Sequence, residues 1–202
     1  MIFRPRTLLV CLFVLMVAAT AKADTFEYTW KAPDAQPVSF YGKKVAVVVL
    51  TKSRAAGIAA EETLARNITL RGADGVPGHN IATRGDMEDK TKAKELFKNA
   101  GVVGAIIIQG EPEGKEALDP NVWKDKSFWE AYGGHMNFDD NTAHPQNDVR
   151  IYVTTKVYSL EQDKLIWSGT SRTKVGNIDA FIGTILDAVA GQMAKQGLLR
   201  RQ

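Results

Sequence analysis

Asp148–Thr173 reads DVRIYVTTKVYSLEQDKLIWSGTSRT, and its pattern decides the fold. Two β-rich runs flank a polar turn, Glu161-Gln162-Asp163-Lys164, which is a hairpin signal. In the first run Val149, Ile151, Val153 and Val157 alternate with Arg150, Tyr152, Thr154 and Lys156. A period of two sets an apolar row on one face against a polar and aromatic row on the other. A two- or four-residue loop centred between Gln162 and Asp163 pairs Tyr158 with Trp167, whereas a three-residue bulged loop sends Trp167 to the opposite face.

Upstream, Lys43–Thr51 (KKVAVVVLT) carries β-branched side chains on both faces, as a strand covered on both sides of a parallel sheet does. Ser53 can cap a helix over Ala55–Leu70, in which Ala60, Leu64 and Ile68 form the inward stripe and Arg71-Gly72 the stop. Gly75–Thr83 sets only Val76 and Ile81 among turn formers, a poor strand at best. A helix beginning at Asp86 or Asp89 buries Ala93, Leu96, Phe97 and Ala100, Gly101 ends it, and Val102–Gln109 is a second buried strand. This order predicts a crossover unit in which Lys43–Thr51 and Val102–Gln109 lie parallel. Before it, Phe26–Trp30 alternates like a short edge strand until Pro33 and Pro37 break it. After the hairpin, Ile178, Ile182, Ile185, Val189 and Met193 mark a helix from about Ile178 to Gln196, with Gly197 at its end. The expected fold is therefore α/β (α+β): one domain, a mixed sheet with parallel central strands and a late antiparallel hairpin, and about three helices packed on it.

The N-terminus reads as a leader. Arg4 and Arg6 precede an apolar run, Leu8–Ala19, and Ala21-Lys22-Ala23 supplies the small residues of a cleavage site before Asp24. The run is shorter than the roughly 20 apolar residues a bilayer span needs. Residues 1–23 hold three of the 26 cations and none of the 23 acids, so the processed chain of 179 residues carries 23 of each sign. The high pI belongs to the precursor, and a balanced chain argues against nucleic acid or an anionic membrane as partner. Cys11, the single cysteine, leaves with the leader, so the processed chain has no disulfide, no thiol nucleophile and no cysteine to take a lipid. Export to the periplasm without a lipid anchor is the expectation.

Catalytic motifs are missing. Gly110–Lys115 is too short and too acidic for a phosphate loop. Gly72, Gly75 and Gly78 follow a helix where a dinucleotide site follows a strand, and there is no G-x-S-x-G elbow. The imidazoles are His79, His135 and His144; His135, Asp139, Asp140 and His144 share one stretch and have metal-ligand chemistry, at a spacing that matches no established site. No cofactor is implied. Glu111–Asn147 has no sustained period and is rich in aromatics: Trp123, Phe128, Trp129, Tyr132 and Phe138. Exposed, they make a recognition surface for protein or glycan; folded down, Phe128–Tyr132 makes a lid on the sheet. The Asn67-Ile68-Thr69 sequon falls inside a predicted helix and carries no role.

Three segments, KKVAVVVL (Lys43–Leu50), AKELFKNAGVVGAIIIQG (Ala93–Gly110) and VYSLEQDKLIWSGTSRT (Val157–Thr173), together resemble a broad group of bacterial envelope modules. These are the α/β domains related to the N-terminal domain of the translocation protein TolB, the lipoprotein activators of peptidoglycan synthases and the curli-secretion lipoprotein. A strand of the form v-y-d-x-x-x-g-k-l-i-W before a final helix is common there, and Val157–Trp167 is similar to it. The resemblance implies a non-enzymatic envelope module with helices on a mixed sheet; no active-site residue comes with it. The expected role is binding another envelope component through Glu111–Asn147 or an open sheet edge. The alternative is an exported hydrolase or metal-dependent enzyme using His135, Asp139 and His144, and a third reading is a small-ligand carrier with a cleft under the long segment.

Overall fold

A computed structural model describes residues 26–51, 53–112, 122, 124–133, 150–174 and 178–201. Its strands are β1 (Tyr28–Lys31), β2 (Lys44–Leu50), β3 (Asp74–Pro77), β4 (Val102–Pro112), β5 (Arg150–Ser159) and β6 (Lys164–Lys174). They form one mixed sheet in the order β1-β6-β5-β4-β2-β3. β2 is parallel to β3 and β4; the β4–β5, β5–β6 and β6–β1 pairs are antiparallel. The helices are α1 (Arg54–Thr69), α2 (Lys90–Asn99), the single short turn pair α3 (Phe128–Gly133) and α4 (Ile178–Lys195). The expected parallel centre and antiparallel flank are both present.

The continuous apolar runs are explained by burial on both faces. Val45 and Val47 of β2 and Ile106 and Ile108 of β4 face a core with α1 and α4, where Leu64, Ile68, Ile185, Val189 and Met193 are buried. Ala46, Val48, Ala105 and Ile107 point the other way, into a second core with Phe97 of α2 and Phe128 of α3. The β2-to-β3 crossover steps outward and the β3-to-β4 crossover returns past β2. With one handedness for both, α1 and α2 must fall on opposite faces. Arg71 Nη2 meets Asp187 Oδ1 at 2.8 Å and ties α1 to α4. The side chains of Ile178 and Ile182, the first two of the expected α4 stripe, lie outside the described residues, as does the leader.

Local signals set the ends of these elements. Ser53 Oγ accepts from the Ala56 amide (3.3 Å) at the start of α1, and Asp89 Oδ1 accepts from Thr91 and Lys92 (2.9 and 3.2 Å) at the start of α2. α3 carries a capping box: the Ser127 amide donates to Glu130 Oε2 (2.8 Å) and the Glu130 amide to Ser127 Oγ (3.3 Å).

One expectation is narrowed and one needs correction. Of Gly75–Thr83, read as a poor strand at best, only Gly75–Pro77 is extended, within the short edge strand β3 that pairs with Lys44–Val47. Gly75 explains why so weak a strand holds: a Cβ there would overlap the Ala65 backbone, so α1 lies directly on it. The hairpin register also differs. Ser159 pairs with Lys164 around the loop 160–163, Tyr158 pairs with Leu165, and a bulge at Ile166 brings Trp167 opposite Val157. Trp167 therefore packs on the α1–α4 side, edge-on to Phe26 with ring centroids 5.4 Å apart, while Tyr158 packs on the other side against Phe128. They are back to back, not neighbours.

Candidate functional site

Phe128, Trp129 and Tyr132 are core residues. All three are buried, and α3 packs them on Phe97 of α2 and Tyr158 of β5. Phe128 meets Trp129 at 4.7 Å and Phe97 at 5.4 Å between ring centroids. The capped turn thus acts as the lid considered above, with large aromatic area removed from water. Trp123 and Phe138 lie outside the described residues, and so do His135, Asp139, Asp140 and His144. Among the described residues, no group of three or more His, Cys, Asp or Glu side chains is placed to hold a metal.

A cleft of about 310 Å³ opens at the carboxyl ends of β2 and β3. Open α/β sheets leave a crevice at that end, because the connections leaving parallel strands diverge there. Its walls come from the end of β2 (Val48–Thr51), the first turns of α1, the segment from Gly78 to Met87, and Phe97 and Tyr132. At its floor sits Glu61, a carboxylate only 7% exposed on the buried stripe of α1. Oε1 accepts from the Val49 amide (3.1 Å), and Oε2 accepts from the His79 amide (2.9 Å) and lies 2.7 Å from His79 Nδ1. One carboxylate therefore holds the end of β2, the turn after β3 and an imidazole. Burying it is tolerable because both oxygens are satisfied. The geometry favours Nδ1 as the donor to Glu61, which leaves Nε2 toward Glu62 Oε1, 4.0 Å away. Gly78 allows the turn to pass over β2: a Cβ there would stand 2.8 Å from the Val47 carbonyl oxygen and 2.9 Å from Val48 Cγ2.

Two guanidinium groups, Arg54 from the start of α1 and Arg84 from the following segment, stand at the mouth. Arg84 is held on a tight turn: the Thr83 amide and hydroxyl donate to Asp86 Oδ2 at 2.8 and 2.6 Å, and Lys92 Nζ lies 2.7 Å from Asp86 Oδ1. The Lys92 contact, then the Thr83 bonds, hold the Asp86 carboxyl far below the usual carboxylate range. The Tyr132 hydroxyl is pushed up to about 12 by burial and by the nearby Glu61 charge, against the pull of Arg84. It is therefore a neutral donor at physiological pH.

A larger hollow of about 520 Å³ lies at the amino end of β2, between Gln36, Tyr41, Lys43, Glu161 and Arg201. Lys43 and Glu161 face each other there at 3.8 Å, and no buried polar group converges on it. The cleft at the other end is the candidate site, though it is smaller.

His79 was one of the imidazoles noted in the sequence; Glu61 was not singled out. A signal for it exists: Gly57, Glu61, Leu64, Ala65 and Ile68 fall on one helical stripe, so an acid sits where a core residue belongs.

No protein-family model matches the chain, and no curated protein matches it. Among solved structures it is similar to the PelC dodecamer from Paraburkholderia phytofirmans, with a TM-score of 0.44 and 12% identity over 87% of this chain and 97% of that one. A single-substitution variant of that dodecamer gives a TM-score of 0.41 and 14% identity, covering 81% of this chain and 97% of the other. TolB from Acinetobacter baumannii gives 0.38 and 11% identity over 84% of this chain and 31% of that chain. The likeness is weak and lies at the level of the fold.

Proposed function

We propose that this chain is an exported, non-enzymatic module of the bacterial cell envelope, acting in the periplasm by binding another envelope component, protein or glycan. The observation that carries a binding role over a chemical one is the use made of Glu61. The cleft's acid–imidazole pair resembles the base-and-orienter part of a hydrolytic site, but both carboxylate oxygens are taken by the ends of β2 and β3. Among the described residues that line the cleft none is serine or cysteine, and the hydroxyl of Thr83 is held by Asp86. The pair works as a latch. Export is supported by the leader pattern of residues 1–23 and an envelope role by the three segments quoted above. Among the described residues, no helix is long and apolar enough to cross a membrane.

In this reading the segment between β4 and β5 supplies the contact surface. Phe128, Trp129 and Tyr132 anchor it to the sheet, and Trp123 and Phe138 are its binding side chains. The test is to produce the full chain with a C-terminal tag in a Gram-negative host, sequence its N-terminus after osmotic shock, and photo-crosslink from position 123, 138 or 28. A periplasmic chain starting at Asp24, with one crosslinked partner from 123 or 138, is the expected outcome. An unprocessed cytoplasmic chain ends the export reading. A partner captured only from Tyr28 moves the contact to the β1 edge.

A further inference from the structure

We infer that the cleft at the carboxyl ends of β2 and β3 is a binding site for a small organic anion, a carboxylate or phosphate head on a short apolar body. The inference does not depend on the partner-binding role. Three independent features converge on it. The first is charge. Arg54 and Arg84 both line the cleft, and neither guanidinium has an ion pair or a hydrogen bond among the described residues. The acid lining it, Glu61, is already engaged by two amides and an imidazole. Glu62, near His79 Nε2, and Asp86, paired with Lys92, are the neighbouring acids, and neither lines the cleft. Two guanidinium forks lining one cleft, unpaired among the described residues, suit a planar carboxylate or a phosphate.

The second feature is a donor on the wall. Tyr132 is largely buried and lines the cleft, and its hydroxyl has no hydrogen-bond partner among the described residues. That hydroxyl is not sealed in the core with the unsatisfied Tyr158 hydroxyl, so it is open to donate to an acceptor in the cleft. Because the phenol stays protonated well beyond neutral pH, it offers a proton and does not repel an anion.

The third is shape. Ile58, Met87 and Phe97 give the cleft an apolar lining, and about 310 Å³ is at the small end of ligand pockets. That volume fits a single-ring or short-chain body, not a nucleotide or a sugar chain. The amino end of α1 opens on the same space with no acid in its first turn, which adds a favourable dipole. Glu61 keeps this floor in place through Val49 and His79, so the latch of the fold is also the base of the pocket.

The test uses the processed chain, residues 24–202, titrated with phenyl phosphate, benzoate, benzyl alcohol and benzylamine. Binding is read by calorimetry and by the His79 ring signals in nuclear magnetic resonance. At least one of the two anions is expected to saturate with a Kd on the order of 0.1–1 mM and to shift the His79 signals. The anion that does so names the head group. Benzyl alcohol and benzylamine should bind at least about tenfold more weakly. Arg54→Gln and Arg84→Gln, both at exposed positions, should each weaken the anion about tenfold, and Tyr132→Phe about threefold to fivefold, with unchanged melting temperatures. The inference is overturned if neither anion saturates below about 50 mM, a concentration far above that Kd range. It is overturned equally if the neutral or cationic ring binds as well, if the Arg54→Gln/Arg84→Gln double variant binds unchanged, or if binding leaves the His79 signals in place.

Discussion

The parallel and antiparallel halves of the sheet differ in where they put their connections. β2 and β3 run the same way, so the segments that follow them leave at one end and enclose the Glu61–His79 cleft. β5 and β6 alternate, and the turn between them emerges at the far end, where Glu161 meets Lys43 just before β2. The parallel half thus brings Arg54 of α1 together with His79 and Arg84 of the segment after β3 around one cleft. The antiparallel half spends its side chains on packing: Trp167, Tyr158 and Leu165 are all buried. Chain direction, more than residue type, separates the half that forms a cleft from the half that holds the fold together.

Trp167→Ala should test that separation with the largest effect. The indole is 2% exposed and lies over Gly169, where a Cβ would overlap it, with Phe26 against its edge. Its loss should cost about 3–5 kcal/mol in urea unfolding and leave anion affinity of the folded protein unchanged. A loss of affinity equal to the loss of stability would show that the two halves are coupled. Next, Glu61→Ala leaves the Val49 and His79 amides without their acceptor and should cost about 2–3 kcal/mol. Hydrogen exchange should speed up at those two amides and hardly change in the β5–β6 ladder; uniform acceleration would refute a local latch. The smallest effect should come from Tyr158→Phe. That hydroxyl is buried and has no hydrogen-bond partner among the described residues, so removing it should leave stability unchanged or raise it by up to about 1 kcal/mol. A clear destabilisation would mean that the phenol has a partner in the folded chain.

How much of this was legible in the sequence follows from the range of the forces involved. β2 and β4 could be read because uninterrupted β-branched runs have few fates other than a doubly covered strand. The caps at Ser53 and Asp89 and the stops at Gly72 and Gly101 are local, and the structure bears them out; both glycines have positive φ (107° and 72°). β3 was legible only as a poor strand, because Asp74-Gly75-Val76-Pro77 has almost no strand propensity. It exists through pairing to β2 and through the close seat of α1 on Gly75. The Ile166 bulge was hidden for a related reason. Alternation from Lys164 onward tolerates either register, and the bulge places Trp167 on one core and Leu165 on the other. The aromatic segment was half legible: its residue types mark large buried area or a recognition surface equally well, and Phe128, Trp129 and Tyr132 turn out to be buried. Of the cleft, the sequence carries one sign, the acid Glu61 on the buried stripe of α1; its pairing with His79 arises only after the β2–α1–β3 crossover has formed.

The two outermost strands carry a consequence for life in a crowded compartment. β1 and β3 are four residues each, and β3 stops at Pro77, which has no amide hydrogen to donate. A stray strand, or a second copy of this chain, would find only a few free amides and carbonyls on either rim before the template ran out. The molecule can hold a wide sheet with long inner strands of 10 and 11 residues and still resist lateral growth into fibres. The same brevity limits what an extended peptide could gain by docking at either rim.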